Sequence, residues 1–154
     1  MNKALFLDRD GVINVDKGHL YSIKNFEFTR GIFDLCRKYI DEGFIIIVIT
    51  NQAGIAKGFF TEADYTKLTA WMIRQFQNKG IRISKVYHCP HHPDITGPCQ
   101  CRKPNTGMII EAIREFDLNI SECVLIGDKE SDLEAGRRAG IPESNLHLYK
   151  INDT

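Results

Sequence analysis

Short apolar runs alternate with amphipathic segments along this chain of 154 residues. Nearly unbroken apolar runs are typical of strands that are buried on both faces of a sheet, and apolar residues at a spacing of three and four indicate helices. Strands are predicted at residues 4–7, 44–49, 83–88, 123–126 and 146–149. Helices are predicted from Ile32 to just before Gly43, from Thr61 to Asn78, from Asn105 or Thr106 to Phe116, and from a capping box of Ser131 and Glu134 to Ala139.

This alternation predicts an α/β fold with a single Rossmann-like domain over residues 1–154. Strands that are separated by helices pair in parallel through right-handed crossovers, so a central parallel five-stranded sheet flanked by helices is expected. No insertion is long enough to form a lid domain, and the fold is therefore expected to be capless. Residues 89–101 break the pattern and are expected to form an irregular loop.

Composition and charge narrow the class of partner. The chain is 43% hydrophobic and 26% charged, as expected of a globular protein. Its 20 basic and 20 acidic side chains cancel, so no general positive field attracts nucleic acid or a membrane surface. We expect a small-molecule substrate held by local charge, and a monomer. The N-terminus shows no apolar segment typical of a signal peptide or membrane span, which predicts a cytoplasmic protein.

Polar side chains directly follow three of the predicted strands. These are Asp8 and Asp10, Thr50 and Asn51, and Asp128 and Lys129. Ligands bind at the carboxyl ends of strands in open α/β sheets, and residues two apart in an extended chain point to one side. If the fourth strand pairs with the first, Asp128 faces Asp8, and polar groups from distant parts of the chain form one site.

Three carboxylates at one sheet edge predict a site for a hard divalent cation such as Mg²⁺, which prefers oxygen ligands. A phosphate bridged by the cation is the substrate that suits such a site. Asp8 would attack phosphorus to form an aspartyl-phosphate, and Asp10 would protonate the leaving alcohol and later activate water. Thr50, Asn51 and a lysine would hold the phosphoryl oxygens, where charge is spread in the transition state.

A second metal site is predicted in the irregular loop. Three of the five cysteines lie within thirteen residues and beside histidines, which favours metal in a reducing compartment over disulfides. Cys89, His91, Cys99 and Cys101 form a ligand set suited to tetrahedral structural Zn²⁺, with His92 as the alternative to His91. Four protein ligands leave no position for water, so this Zn²⁺ is expected to hold the loop.

Four motifs resemble those of haloacid-dehalogenase (HAD) superfamily phosphatases, in the same order. They are Asp8-Arg9-Asp10-Gly11-Val12, Thr50-Asn51-Gln52, Cys101-Arg102-Lys103-Pro104 and Gly127-Asp128-Lys129. Within the superfamily the chain most resembles the capless D-glycero-D-manno-heptose 1,7-bisphosphate 7-phosphatases, and next the histidinol-phosphatase domain with its related zinc loop. The seven residues between His91 and Cys99 are intermediate between the loop lengths of these two groups.

The resemblance implies a Mg²⁺-dependent phosphatase that removes the C7 phosphate of the heptose in nucleotide-activated heptose biosynthesis, for lipopolysaccharide or another glycoconjugate. It implies Asp8 as nucleophile, Asp10 as general acid/base, and Thr50 and Lys103 as stabilisers of the phosphoryl group. Mg²⁺ is implied at Asp8, the Asp10 carbonyl and Asp128. Substrate contacts are implied for Asp16, His19, Asn51, Gln52, Arg102 and Lys129. The zinc loop is expected to aim Arg102 and Lys103 at the site.

Alternatives stay open from the sequence. One is a histidinol-phosphate phosphatase or another small phosphomonoesterase. Another is a non-catalytic, zinc-stabilised binding module, against which the intact catalytic motifs argue. Lys57 has two interpretations, a contact to a substrate phosphate or a solvated loop residue. Asp132 either supports the waters of the metal or stabilises the N-terminus of its helix.

Overall fold

The computed structural model describes residues 1–149 and contains a five-stranded parallel sheet with helices packed on both faces. The strands are β1 (Ala4–Leu7), β2 (Ile45–Asn51), β3 (Ile83–Cys89), β4 (Val124–Gly127) and β5 (Leu146–Leu148). Their order is β3-β2-β1-β4-β5, and every pairing is parallel. The predicted fold class is confirmed, and each strand lies within about two residues of its predicted position. Residues 150–154 of the predicted domain lie outside the described residues.

The helices follow the predicted amphipathic segments. They are α1 (Ile32–Asp41), α2 (Glu62–Asn78), α3 (Pro93–Thr96), α4 (Gly107–Phe116) and α5 (Glu130–Ala139). Helix α3 is a single turn inside the 89–101 loop, and a segment this short shows no periodicity to predict it. Helix α2 begins as predicted, because Thr61 and Asp64 form reciprocal hydrogen bonds at its N-terminus. Among the described residues, none of these helices has the length and hydropathy needed to cross a membrane.

The N-terminus of α5 differs from the prediction. The expected capping box of Ser131 and Glu134 does not form, because the helix begins at Glu130 and both residues lie within it. Asp132, the third residue of the helix, caps the N-terminus instead, and its Oδ2 accepts hydrogen bonds of 3.1 Å from the backbone N–H groups of Asp128 and Lys129. The cap therefore turns a buried carboxylate toward the carboxyl end of β4.

Apolar side chains fill both faces of the sheet. Leu5 and Leu7 pack on one side with α1 and α2, and Ala4 and Phe6 pack on the other side with α4 and α5. All four residues of β1 are fully buried. Cys36 belongs to the first of these clusters, as its helical spacing predicted. A strand enclosed in this way gives the residues that follow it a fixed position.

The chain order changes direction at β1. From β1 it passes outward through β2 and β3, then returns to place β4 on the opposite side of β1, so the condition under which Asp128 faces Asp8 is met. The carboxyl ends of β1, β2 and β4 therefore meet at a topological switch point, where α/β folds bind ligands. Gly11 turns the chain with φ of 97°, and a Cβ atom there would overlap the carboxylate of Asp128. Glycine thus allows the two strand ends to approach.

Candidate active site and metal centres

A cavity of about 540 Å³ lies at the carboxyl ends of these strands. All six residues expected to contact substrate, and three of the residues expected to be catalytic, line it. They are Asp8, Asp10, Asp16, His19, Asn51, Gln52, Arg102, Lys103 and Lys129. Thr50 lies beneath, 1% exposed, and Asp128 beside Asp8. The fold therefore gathers residues from four distant segments of the chain around one opening.

The Lys103 ammonium group is the centre of a buried ion network. Its Nζ donates to Asp8 Oδ1 at 3.0 Å and to the Ile49 carbonyl at 3.0 Å, and it lies 2.6 Å from Asp132 Oδ1. The side chains of Lys103 and Asp132 are each 3% exposed. Burial opposes the charge of Lys103, yet the two carboxylates raise its pKa above the usual value. The lysine is therefore a fixed cation beside Asp8.

Asp8 is strongly perturbed by its surroundings. Burial raises the pKa of Asp8 to about 8, Lys103 opposes this shift, and Asp132 adds to it. Burial also raises the pKa of Asp128. These carboxyl groups share too little positive charge for all of them to ionise easily, and a divalent cation would supply what is missing.

The arrangement of the carboxylates fits Mg²⁺. Oxygen atoms of Asp8, Asp128 and Asp132 all lie within 4.8 Å of one another. Asp128 Oδ1 is buried without a hydrogen-bond partner among the described residues. A buried acceptor without a partner is costly, and coordination of a hard cation would satisfy it. The donor set therefore suits Mg²⁺.

The side chain of Asp10 is not part of this group, in contrast to the three carboxylates that the spacing suggested. Its carboxylate turns toward Arg9, Asn14 and Gln52, which all donate to it. Asp132 completes the acidic group in its place. The ligand implied for Asp10 is its backbone carbonyl, and this role stays a prediction.

The end of β2 holds the lysine in place. Asn51 Oδ1 accepts a hydrogen bond of 3.0 Å from the backbone N–H of Lys103, and Asn51 Nδ2 donates to the Lys103 carbonyl at 3.4 Å. Thr50 Oγ1 accepts a hydrogen bond of 2.9 Å from Gln52 Nε2. Asn51 lines the cavity, but its amide is committed to Lys103, so its contribution to the site includes positioning that cation.

The cavity is also lined by charged side chains that lie outside the buried acidic group. Lys57, Arg102 and Lys129 line it together with the acidic Asp16, so cations outnumber anions at this rim. Asp16 also shapes its own loop, where its carboxylate accepts a hydrogen bond from a glycine N–H. His19 has φ of 46°, a conformation rare for residues other than glycine. A basic rim outside the buried acids suits a substrate that carries a second anionic group.

The cysteine cluster has the spacing of a tetrahedral zinc site. The Cys89 Sγ atom lies 3.6 Å from Cys99 Sγ, and Cys99 Sγ lies 3.7 Å from Cys101 Sγ. His91 Nδ1 lies 3.6 Å from Cys89 Sγ and 3.4 Å from Cys101 Sγ. With the bond lengths of Zn²⁺, tetrahedral ligand atoms lie about 3.8 Å apart for two sulfurs and about 3.6 Å apart for sulfur and nitrogen. The donor set therefore suits Zn²⁺.

The structure also separates the two adjacent histidines. His92 Nδ1 accepts a hydrogen bond of 3.2 Å from the backbone N–H of Asp94 and caps α3, whereas His91 faces the cysteines. Although burial opposes the shift, the backbone N–H of Arg102 and the neighbouring ligand groups lower the pKa of Cys99 to about 7. A thiol with a lowered pKa is readily available as the thiolate that binds metal.

The sequence assigned no role to Arg9 and left two roles open for Asp132, although both lie near the proposed reacting groups. Arg9 is 1% exposed and bonded to Asp10, and its position between two acids was the only signal in the sequence. Asp132 is bonded to Lys103 as well as capping α5, and its spacing of four from Asp128 left two roles open. The contact between Arg9 and Asp10 depends on how the turn after β1 folds. The contact between Asp132 and Lys103 depends on how α5 packs against a distant part of the chain.

Comparisons with known proteins agree with this geometry. A family model described as HAD-hydrolase-like matches residues 100–143. The chain is 49% identical over 139 residues to the D-glycero-alpha-D-manno-heptose-1,7-bisphosphate 7-phosphatase of Campylobacter jejuni, covering 90% of this chain and 78% of that relative. It is 41% identical over 143 residues to the D-glycero-beta-D-manno-heptose-1,7-bisphosphate 7-phosphatase of Yersinia pestis, covering 90% and 76%.

A solved structure shows the same architecture. The D,D-heptose 1,7-bisphosphate phosphatase from B. bronchiseptica, complexed with magnesium and phosphate, aligns with a TM-score of 0.81 at 27% identity. The alignment covers 97% of this chain and 93% of that chain. The similarity therefore extends over the sheet, the acidic site and the cysteine loop rather than over one motif.

Proposed function

Because the chain belongs to the family of D-glycero-D-manno-heptose-1,7-bisphosphate 7-phosphatases, which are HAD-like hydrolases, we propose that it removes the C7 phosphate of this sugar bisphosphate. The observation that carries the proposal is the buried contact between Lys103 and Asp8 at the end of β1. A carboxylate paired with a buried cation and lining the cavity supports Asp8 as the nucleophile and Lys103 as the cation that meets the phosphoryl group. The enzyme is a phosphoric monoester hydrolase that acts within heptose biosynthesis.

In the proposed mechanism, an oxygen of Asp8 forms a bond to phosphorus while the bond between phosphorus and the C7 oxygen breaks. Asp10 gives its proton to that leaving oxygen. In the second step Asp10 takes a proton from water, the water oxygen bonds to phosphorus, and the bond to Asp8 breaks. Lys103 Nζ and the Thr50 hydroxyl stabilise the phosphoryl oxygens, whose charge is greatest in the transition states.

We assign the two metals to separate tasks. Asp8, Asp128 and the carbonyl oxygen of Asp10 would hold Mg²⁺, which offsets the repulsion between the nucleophile and the phosphate. Cys89, His91, Cys99 and Cys101 would hold Zn²⁺ as a structural ion. The spacing of the Asp8 and Asp128 oxygens supports the first assignment, and the spacing of the sulfur and nitrogen atoms supports the second. By fixing the loop that ends at Cys101, Zn²⁺ would also aim Arg102 and Lys103.

The remaining parts of the substrate are assigned to the rim. Substrate contacts are proposed for Asp16, His19, Asn51, Gln52, Arg102 and Lys129, all of which line the cavity. The excess of cations at the rim supports binding of the second phosphate, and Lys57 adds to that excess. A substrate with a single phosphate would leave these cations without a partner.

The broader expectations belong to the same proposal. We propose one capless domain over residues 1–154, in which the zinc loop at 89–101 and the loops at 14–21 and 52–60 shape the site in place of a cap. We further propose a cytoplasmic monomer with a small sugar phosphate as its partner. The location of all described strands in one sheet supports the single domain.

A phosphate-release panel tests the activity. The protein is assayed with Mg²⁺ on both anomers of heptose 1,7-bisphosphate, on histidinol phosphate and on fructose 1,6-bisphosphate, with samples containing excess EDTA as the metal-free control. We expect the highest kcat/KM for a heptose bisphosphate, with loss of the C7 phosphate identified by NMR. A preference for histidinol phosphate would replace the substrate assignment. Release from none of the esters would favour the non-catalytic binding module.

A further inference from the structure

Arg9 lies between the two catalytic aspartates in sequence and is almost fully enclosed. It is 1% exposed and is among the largest fully buried side chains of the described residues. Burying a guanidinium group is unfavourable unless its donors find charged or polar acceptors. The location of those acceptors therefore indicates what the buried charge does in this site.

Two of the three nitrogen atoms of the Arg9 guanidinium, Nε and Nη2, contact the carboxylate of Asp10, whereas Nη1 is buried without a partner among the described residues. Nη2 lies 3.1 Å from both Oδ1 and Oδ2 of Asp10, and Nε lies 3.2 Å from Oδ1. Nη2 also donates to the Leu20 carbonyl at 3.0 Å and to Gln52 Oε1 at 3.4 Å. The guanidinium thus binds Asp10 as a fork and is itself held by two neighbouring segments.

Two amides complete the set around Asp10. Asn14 Nδ2 donates to Oδ1 at 3.0 Å, and Gln52 Nε2 donates to Oδ2 at 3.1 Å. The side chain of Asp10 remains 22% exposed and lines the cavity. Both oxygens are therefore held by protein donors while the carboxyl group still has an open side toward the substrate.

Each catalytic aspartate has its own cation. Asp8 is bonded to Lys103, whereas Arg9, although adjacent to Asp8 in sequence, places its guanidinium on Asp10. The chain turns directly after Arg9, and the backbone carbonyl of Arg9 accepts hydrogen bonds from the N–H groups of residues 12–14. If Arg9 served folding alone, any acceptor would satisfy its guanidinium. Its contact with Asp10, the carboxyl group proposed to transfer protons, therefore indicates a role in the site.

From these contacts we propose that Arg9 is a positioning residue, which, with Asn14 and Gln52, orients the Asp10 carboxyl group toward the leaving oxygen. The inference rests on the proposed function, in which Asp10 donates a proton as the bond between phosphorus and the leaving oxygen breaks. Proton transfer requires the donor within about 3.2 Å of the acceptor. A fork of fixed geometry supplies this restraint, and a lysine ammonium does not.

The choice of substrate provides the test. An alkoxide such as that of a sugar leaves poorly without a proton, whereas p-nitrophenolate leaves without one. The ratio kcat/KM reports on steps up to departure of the leaving group. A displaced Asp10 therefore lowers kcat/KM for the sugar phosphate and spares that for p-nitrophenyl phosphate. A general loss of structure lowers both values.

The main variant is Arg9→Lys, which keeps the charge and removes the fork. We expect kcat/KM for heptose 1,7-bisphosphate to fall about 100-fold, mainly in kcat, and that for p-nitrophenyl phosphate to change less than about threefold. Binding of vanadate, measured by inhibition, should not change. The matched control is Arg37→Lys on the surface of α1, which should retain both activities.

A second variant keeps the proposal testable if Arg9→Lys does not fold. Asn14→Ser removes one hydrogen-bond donor to Asp10. We expect kcat/KM for heptose 1,7-bisphosphate to fall about tenfold and kcat/KM for p-nitrophenyl phosphate to stay unchanged. Equal losses on both substrates, or no loss on either, would overturn the role of Arg9 while leaving the phosphatase intact. Failure of the unmodified protein to release phosphate from either substrate would instead contradict the proposed function.

Discussion

The acidic site and the cysteine loop are connected through Arg102 and Lys103, which follow the loop and line the cavity, but the surroundings of the two regions differ. Asp8 follows a strand in which every residue is fully buried, and its carboxylate is held by a lysine that is itself 3% exposed. In the cysteine loop none of residues 91–100 is buried. The first region therefore takes its order from the packed sheet, and the second has too little apolar contact to order itself.

The two regions meet at Lys103. This residue comes two positions after Cys101, yet its backbone is hydrogen-bonded to Asn51 at the end of β2 and its ammonium group to Asp8. We expect a change at the acidic site to alter the chemistry without disturbing the sheet. We expect a change in the four proposed zinc ligands to loosen the loop and to reach the chemistry through Lys103. Three experiments examine this difference.

The largest effect is expected for Asp8→Asn. The amide keeps the shape of the side chain but cannot act as the nucleophile, so phosphate release should fall by at least about 10⁴-fold. Because burial raises the pKa of Asp8 to about 8, the folded protein already favours the neutral form of this group, and a neutral amide should leave the thermal midpoint within about 3 °C of the unmodified protein or raise it. Activity and calorimetry measure the two effects.

The matched control is Asp41→Asn at the exposed end of α1, which should change neither quantity. A large drop in the thermal midpoint of Asp8→Asn would contradict a site whose order comes from the sheet. Retained phosphate release would contradict the assignment of the nucleophile.

An intermediate effect is expected for Cys99→Ser. Loss of one thiolate should release Zn²⁺, raise amide hydrogen exchange across residues 90–101, and lower kcat/KM by about 10- to 100-fold. Exchange in β1 and β2 should remain slow, because their hydrogen bonds and side chains lie within the apolar core. Zinc content, exchange and kinetics are measured on the same preparation.

For the loop, Ile95→Ser is the matched control, because this side chain is 55% exposed and is not a ligand. It should retain zinc and activity. If Cys99→Ser loses zinc with unchanged kcat/KM and unchanged exchange, the loop does not depend on the ion, and the comparison with the acidic site fails.

The third effect, the smallest for each unit of pH, concerns Mg²⁺ binding. A ligand carboxyl must be ionised, and the raised pKa of Asp8 means that it carries a proton in the metal-free protein below about pH 8. Binding then releases a proton, so affinity for Mg²⁺ should rise about tenfold per pH unit between pH 6 and 8 and level off above. Calorimetry in buffers of different ionisation enthalpy counts the protons. Asp8→Asn should release fewer protons than the unmodified protein, because Asp128, whose pKa is also raised, remains. An affinity of the unmodified protein that is independent of pH would contradict the prediction.

The sequence by itself determined the strands, most helix bounds and the chemistry of the strand ends. Continuous apolar runs such as Ala4–Leu7 allow few other structures, and acids directly after a strand must lie at its carboxyl end. The motif resemblance to a phosphatase family was confirmed by relatives that align over most of the chain. These features are local in sequence, so a linear pattern carries them.

Only the tertiary structure decided which side chains meet. Lys103 and Asp8 are 95 positions apart, and Asp132 joins them because α5 begins above the end of β4. Packing likewise turned Asp10 away from the acidic group and toward Arg9. A hydrophobic pattern determines which face of a helix or strand is buried. Hydrogen-bond partners depend on distances between helices and strands, and no local pattern contains those distances.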